Sequence, residues 1–333
     1  MSLSECGHME KEIQDLLKKH GFPRELQVAQ IIRKQGWIVD NSVTYTDPEL
    51  GISRELDVYA RRNLVINENN GLRIGASLVV SVKNNTDPFL CVCSEMSEKD
   101  KLDDSYAHLT GSRITVAYEN GKEVLLQVYL KASTWHHYYD EIRPKAFKIG
   151  KINLDDQKKP VKITFEKTHP EIIFPLIKCL NWMESNYSPE KFYSPGEQID
   201  ASKDLYFAIW FPVLVVNKPL YVSDVNTVNK MEDKQWVGLR GTYCSEKFHA
   251  SYHIDIVVFD FLESYLQKVE QITLKKFCGV LLSDSENLRS KFVPKREDNF
   301  DKIHDLVVKQ SLFGDGMSLL RDINDLKQNR EKT

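Results

Sequence analysis

The 333-residue sequence has few cysteines and no pattern that would join them into a disulfide framework or a zinc site. Its six cysteines are scattered, and none stands in the Cys-x-x-Cys spacing of a zinc ligand pair. We therefore expect reduced thiols that lie mostly in the core, as is usual for a cytoplasmic protein.

The sequence also lacks an apolar run of the roughly 20 residues that a membrane-spanning helix needs. Its first residues, MSLSECGHMEKEIQDLL, contain no secretory hydrophobic core. We expect a cytoplasmic protein with no membrane partner.

The sequence also has no large excess of either charge. It contains 45 Lys and Arg residues and 48 Asp and Glu residues, which gives a formal net charge of −3. Contacts of Lys and Arg with phosphates dominate nucleic-acid affinity. Any nucleic-acid site must therefore be a local basic patch. The 41% of hydrophobic and 28% of charged residues are typical of a folded globular protein.

Several widespread catalytic motifs are absent as well. The sequence contains no Walker A loop, Rossmann glycine fingerprint, nucleophile elbow or His-Glu-x-x-His motif. A chemical function has to be sought in the order of the secondary structure elements and in the charged residues that they carry.

Hydrophobic periodicity predicts one helix and three strands early in the chain. The apolar stripe in RELQVAQIIRKQGW predicts a helix after Pro23, and Gly36 is well placed to end it. Two β-rich runs joined by Asp-Pro-Glu-Leu-Gly predict a hairpin, and LRIGASLVVSVKN predicts a third strand.

Later segments continue the alternation of helices and strands. KEVLLQVYLKASTWHHYYDEI predicts a long helix, HPEIIFPLIKCLNWMESNY predicts another, and the lysine-rich segment between them indicates a linker with a short strand. DLYFAIWFPVLVV predicts a buried strand followed by a hairpin, and SYHIDIVVF a strand that leads into the helix DFLESYLQKVEQ. This alternation favours an α/β fold with a mixed sheet.

Charged residues on two of these strands suggest a site. Because strand side chains alternate between two faces, Glu55 shares a face with Asp57, and Ser81 shares a face with Lys83. If the strands are adjacent, the side chains converge at one sheet edge. A carboxylate can hold Mg²⁺ there, and a lysine can stabilise the negative charge that develops in phosphodiester hydrolysis.

This arrangement resembles the PD-(D/E)XK nuclease superfamily, in particular its Mrr-like restriction endonuclease branch. The Arg-Glu-Ile-Asp-x-x-Ala strand of that branch matches Arg54 to Ala60, and its Glu-x-Lys matches Ser81 to Lys83. Its first-helix pattern matches from Glu25 to Trp37, except that Arg24 replaces the leading aromatic residue. The resemblance implies a restriction-endonuclease-like core with a mixed central sheet flanked by helices.

The resemblance also implies an organisation for the whole chain. A restriction-endonuclease-like α/β domain would span residues 1–285, with the core motif at 20–95, a helical insertion at about 119–195 and completing strands at 204–260. A helical C-terminal tail would follow over residues 286–333.

Carried over residue by residue, the resemblance assigns a role to each site residue. Asp57 would bind Mg²⁺ or Mn²⁺, the backbone carbonyl of Val82 would add an oxygen ligand, and Glu25 would hold a metal-bound water or orient the site. Lys83 would be the catalytic lysine. The implied function is metal-dependent hydrolysis of DNA, with defence against foreign DNA as one role. Restriction-type nucleases often pair subunits, so a homodimer is one expectation.

Ser81 departs from the family pattern, which has a glutamate at this position. A hydroxyl is a poor ligand for Mg²⁺, so the site lacks one negative charge. Either Glu25 or Glu55 supplies that charge from a neighbouring position, or metal affinity falls. In the second case the protein would be a catalytically inactive module that binds nucleic acid or protein.

Two histidine–aspartate pairs are further candidates for metal ligands. His136 and Asp140 would lie at i and i+4 on one helical face, while His253 and Asp255 share one strand face and can bind a metal or each other. Two ligands do not make a site, and packing of an aromatic helix on the sheet explains the first pair.

Overall fold

The described part of the chain forms one large mixed β-sheet flanked by helices. The computed structural model describes residues 21–67, 72–97, 100, 106–111, 116–119, 122–125, 130–140, 145–186, 205–225 and 230–283. Twelve strands in these ranges belong to the large sheet, and two more form a separate hairpin. The predicted α/β class with a mixed sheet is confirmed. The helical tail expected beyond residue 285 lies outside the described residues.

The first elements are one helix and a three-stranded antiparallel meander. They are α1 (Phe22–Lys34), β1 (Ile38–Thr46), β2 (Ser53–Asn67) and β3 (Leu72–Lys83). Glu25 lies in the first turn of α1, where a carboxylate interacts favourably with the helix dipole. Gly36 has a φ of +83°, and this left-handed conformation ends the helix as expected.

The remaining helices and strands follow in chain order. They are β4 (Phe89–Ser94), β5 (Leu109–Gly111), β6 (Val116–Glu119), β7 (Lys122–Leu125), α2 (Ala132–Trp135), α3 (His137–Asp140), β8 (Lys145–Leu154), β9 (Pro160–Thr164), α4 (Phe174–Ser185), β10 (Leu205–Val216), β11 (Leu220–Asp224), β12 (Met231–Asp233), β13 (Trp236–Cys244), β14 (His249–Val258), α5 (Leu262–Lys268) and α6 (Lys275–Ser283). A π-helical segment, Val269–Leu274, joins α5 to α6.

The topology of the large sheet brings three strand ends together. Its order is β1-β2-β3-β10-β14-β13-β8-β4-β11-β12, with β5 paired to β10 and β9 paired to β8. β3, β10 and β14 are parallel, and Lys83, Val216 and Val258 are in register at their carboxyl ends. Ligands of open α/β sheets bind outside such carboxyl ends. The predicted site therefore lies at an edge where binding is expected.

Helices cover both faces of the sheet. One apolar layer includes Val28 and Ile32 of α1 and Phe277 of α6, and the other includes Ile177 and Leu180 of α4. All five side chains are almost fully buried. Each such burial contributes about 1.5–3 kcal/mol to folding. The two layers hold α1 and β3 in fixed positions relative to each other.

The prediction of one long helix in KEVLLQVYLKASTWHHYYDEI is wrong. Lys122–Leu125 is a strand paired with β6, and the described residues from 130 to 140 form only the short helices α2 and α3. His136 separates these helices because its backbone is extended. Short apolar runs fit a helix and a strand equally well, which is why periodicity failed here. The predicted helical insertion at about 119–195 thus contains strands as well as helices.

Two other expectations about pairing need correction. The lysine-rich segment is not a linker, because β8 and β9 pair in it as an antiparallel hairpin. β11 does not form a hairpin with β10, because it pairs in parallel with β4 and antiparallel with β12. The parallel partner β4 lies more than a hundred residues before β11 in the chain, so local patterns gave no signal for this pairing.

A buried carboxylate holds the β1–β2 turn. Asp47 is 1% exposed and accepts the backbone N–H groups of Glu49 and Leu50 at 3.0 and 3.1 Å and the Arg54 guanidinium at 2.9 Å. Lys178 of α4 lies 3.5 Å from the same carboxylate and pairs with Glu49. Burial alone would raise the pKa of Asp47, but these donors hold it below its usual value. The turn is thereby fixed to α4.

We predict that Asp47→Asn lowers the free energy of unfolding by about 1–3 kcal/mol near pH 7, because the amide keeps the turn but loses the charged partners. The pKa of Asp47 is lower in the folded chain, so the carboxylate stabilises the fold fully above about pH 4 and less as the pH falls further. The difference between wild type and variant should therefore shrink near pH 3 in urea unfolding.

Glu232→Gln is the matched control, because among the described residues this surface carboxylate pairs only with Lys230 and Lys234. Its effect on stability should be much smaller. A loss of equal size at both pH values for Asp47→Asn would contradict the assigned electrostatic role.

Candidate functional site

The strand ladders are interrupted around Asp57. β1 and β2 pair on both sides of Ser42 and Asp57 but not at that position, and Ser42 has a left-handed backbone with a φ of 56°. Pairing between β2 and β3 begins only at Val58 and Val80. The amino end of β2 is therefore released from the end of β3.

The side chain of Asp57 bridges this gap. Its Oδ2 accepts the backbone N–H of Val82 at 2.5 Å and the hydroxyl of Ser81 at 3.2 Å. Because Val82 is 6% exposed, its amide needs such a partner. The carboxylate replaces the missing ladder bond, and Ser81 acts as its hydrogen-bond donor.

Glu25 lies within electrostatic range of Asp57, Glu55 and Lys83. Burial raises the pKa of Glu25, the carboxylates of Asp57 and Glu55 raise it further, and Lys83 lowers it. Lys83 is half-buried at the end of β3 and forms no ion pair within the described part of the chain. α1, β2 and β3 thus bring the four charged residues of the predicted site close enough to influence one another.

The three carboxylates are neighbours without forming a preassembled ligand set. Among the described residues, the one group of three ligating side chains with all donor atoms within 4.8 Å of one another does not include Glu25, Glu55 or Asp57. Glu55 is also exposed. A cation bound by all three carboxylates would have to draw them closer together.

The group that meets this distance lies inside the sheet, around Asp255 of β14. Nε2 of His137 lies 2.7 Å from Oδ2 of Asp255, and Nε2 of His253 lies 2.8 Å from Oδ1. Trp236 donates to Oδ1 at 3.0 Å, and the hydroxyl of Tyr265 donates to Oδ2 at 2.6 Å. Each carboxylate oxygen therefore faces one imidazole and one further donor.

Burial dominates the electrostatics of this cluster. It lowers the pKa of His253 to about 4, although the neighbouring carboxylate opposes this effect. Burial alone would raise the pKa of Asp255, but His253 and His137 hold it well below its usual value. The Thr273 hydroxyl accepts the backbone N–H of His137 at 2.9 Å and lies 2.6 Å from its Nδ1, which fixes the ring.

Sequence analysis identified two residues of this cluster, His253 and Asp255. The expected pairing of His253 with Asp255 is confirmed. His137 reaches Asp255 in place of its neighbour His136, whose ring stacks on His137 at 4.6 Å between centroids. The extended backbone between α2 and α3 removes the i and i+4 relation that suggested His136 and Asp140 as a pair. The side chain of Asp140 lies outside the described residues.

Trp236, Tyr265 and Thr273 were missed because they come from β13, α5 and the segment after α5, and no spacing marks them. The available signal was an aspartate in the apolar strand HIDIVV. A carboxylate buried in such a strand requires donors from its surroundings. The identity of those donors is set by tertiary packing.

Comparison with known proteins identifies no family for this chain. No protein-family model matches the sequence, and no significant match is found among curated proteins or among solved structures. In the ranges that the structure covers, no helix is long and apolar enough to cross a bilayer. The case for a function therefore depends on the site residues themselves.

We predict that Asp57→Ala destabilises the fold by about 1–3 kcal/mol, because the buried Val82 amide loses its acceptor. Asp57→Asn should cost much less, since its side-chain carbonyl can accept the same bond. Urea unfolding measures both losses, and hydrogen exchange of the Val82 amide should accelerate in the alanine variant alone. Equal stability of wild type and both variants would show that the bridge is unimportant.

The raised pKa of Glu25 gives a second test. Asp57→Asn removes a neighbouring negative charge, so the pKa of Glu25 should fall. Lys83→Met removes a positive charge, so it should rise. Titration of the Glu25 carboxyl carbon by NMR measures both shifts, with Glu232→Gln on the distant strand β12 as a control that leaves the pKa unchanged. A Glu25 pKa that is insensitive to both site variants would separate this residue from the site.

Proposed function

We propose that the protein is a metal-dependent endonuclease that hydrolyses DNA phosphodiester bonds with a site of the PD-(D/E)XK type. The observation that carries the proposal is that Glu25 of α1 lies within electrostatic range of Asp57 on β2 and of Lys83 at the carboxyl end of β3. A helix and an antiparallel meander with the aspartate on the second strand and the lysine on the third are what the resemblance implies. A restriction-endonuclease-like core is part of the same proposal.

The oxygen donors of the site suit Mg²⁺ or Mn²⁺, which prefer oxygen ligands. Oδ2 of Asp57 is engaged by Val82 and Ser81, while its Oδ1 makes no hydrogen bond within the described chain. Oδ1 of Asp57 and the carbonyl oxygen of Val82 would hold the cation. When bound, the cation would polarise the phosphate and activate water.

Glu25 and Lys83 supply the remaining chemistry. A carboxylate with a raised pKa is suited to accept a proton from the attacking water, because proton transfer is most effective when the base titrates nearer the working pH. The ammonium group of Lys83 would stabilise the negative charge that develops on the phosphate. Both side chains are half-buried, which strengthens these interactions.

The charge that Ser81 lacks is better supplied by Glu25 than by Glu55. Glu25 is half-buried, and its pKa responds to Asp57 and Lys83. Glu55 is exposed and lies in the β1–β2 ladder opposite Thr44. We therefore assign the compensating carboxylate to α1.

One observation favours the alternative, a catalytically inactive module that binds nucleic acid or protein. Asp57 closes the gap between β2 and β3 through its bonds to Val82 and Ser81. This structural role would preserve the aspartate and the serine in a protein without catalysis. The two proposals differ in whether the protein cleaves DNA when Mg²⁺ or Mn²⁺ is present.

Cleavage of supercoiled plasmid DNA in Mg²⁺ or Mn²⁺ tests the enzyme. Wild type should nick it, and Asp57→Asn and Lys83→Met should each lower the rate by about 100-fold or more. Asp57→Asn is preferred to the alanine variant because it keeps the bond to Val82. Lys234→Met is the matched control, since this lysine pairs with Glu232 on β12 and should leave the rate unchanged.

Ser81→Glu distinguishes the two proposals. A gain of cleavage in this variant over an inactive wild type would indicate a fold whose site has lost a ligand. Absence of cleavage by both proteins with either cation would contradict the enzyme proposal. Gel shifts of DNA at low salt that persist in Asp57→Asn would then favour the binding module.

A further inference from the structure

We propose that His137, His253 and Asp255 form an internal binding site for one divalent transition metal ion of the zinc class. β10 separates β14, the strand of His253 and Asp255, from β3, so this site is distinct from the proposed nuclease site. The donor atoms of the three side chains all lie within 4.8 Å of one another. Two imidazoles and a carboxylate are a ligand set typical of Zn²⁺ and of other first-row metals.

The charge of the cluster supports a bound cation. Asp255 is 1% exposed, and within the described ranges its ion-pair partners are the imidazoles of His137 and His253 alone. A buried carboxylate is costly unless a positive charge lies beside it. A divalent cation would supply that charge without requiring a proton on either ring.

The contacts around His137 and Asp255 are those of oriented ligands. A metal-binding histidine usually donates its other ring N–H to a nearby oxygen. The Thr273 hydroxyl lies 2.6 Å from Nδ1 of His137, so Nε2 can present its lone pair to the site. Trp236 and Tyr265 each donate to one oxygen of Asp255, which fixes the carboxylate plane.

The geometry requires only a small adjustment. Zn–N and Zn–O bonds of about 2.0–2.2 Å place neighbouring donor atoms about 3 Å or more apart. The Nε2 atoms of His137 and His253 lie 2.7 and 2.8 Å from the oxygens of Asp255. A shift of a few tenths of an ångström would open the space. Asp255 could then bind through both oxygens, which gives four donor atoms from three residues.

The burial of the site indicates a structural role for the ion. His137 and His253 are 0% and 2% exposed, so substrate cannot reach the donors in this conformation. The ligands join α3 to β14, two elements more than a hundred residues apart in the chain. An ion here would fix α3 against the sheet, and it would be incorporated as the chain folds.

Metal analysis of the full-length protein tests the proposal. The chain is unfolded with a chelator, refolded with Zn²⁺ or Co²⁺, freed of excess ion and measured by mass spectrometry. We expect about one ion per chain, absorption bands of protein-bound Co²⁺, and a melting temperature above that of protein refolded without metal. Asp255→Asn and His253→Gln should lose the ion.

Two controls locate the ion. His249→Gln should retain it, because His249 is a buried histidine on the same strand whose ring nitrogens have no partner in the described chain. Asp57→Asn should also retain it, which separates this ion from the cation of the proposed nuclease site. Loss of the ion in either control would place it elsewhere.

Folded wild-type protein that holds less than about a tenth of an ion per chain after refolding with each metal would overturn the proposal. In that case hydrogen bonds from both Nε2–H groups to Asp255 would account for the cluster without a metal. This outcome does not require the variants to fold, because the wild-type measurement decides it.

Discussion

β3 is paired along its whole length with β10 but with β2 only as far as Val80, and this asymmetry makes room for the candidate site. The ladder with β10 continues to Lys83 and Val216, so the end of β3 is held on one side. On the other side β2 has separated, and one carboxylate, Asp57, crosses the gap. The end of β3 is therefore held in position by β10 and left accessible on the side of β2. Glu25 enters this space because α1 packs on the same strands.

The part of the fold that the sequence predicts well consists of neighbours in the chain. The order from α1 to β3 depends on a glycine stop, a short turn and runs of clear periodicity, which are local signals. β11 could not be placed in this way, because its parallel partner β4 is more than a hundred residues away. The helix expected near Val124 failed for a different reason: this run pairs with β6 directly before it, and a short apolar run by its period alone fits a helix and a strand equally well.

The candidate site also has one part that local sequence patterns predicted and one part that they could not predict. Alternation of side chains along two strands was enough to predict that Asp57 and Lys83 would lie at one sheet edge if their strands were neighbours, and Glu25 was added only by the family resemblance. It could not show that Asp57 would be engaged by the Val82 amide, because that bond exists only where the ladder is interrupted. Backbone irregularity is set by the twist of the whole sheet and leaves no mark in residue spacing.

Asp57 and Asp255 show how the surroundings of a carboxylate decide what it can do. Asp57 uses one oxygen to satisfy the backbone and keeps the other free in a half-open space. Asp255 has both oxygens engaged, and it lies where water does not reach. The first arrangement leaves a ligand position that exchanges with solvent. The second can hold an ion only as part of the fold. Access to solvent, more than the number of nearby ligands, therefore distinguishes the catalytic role proposed for Asp57 from the structural role proposed for Asp255.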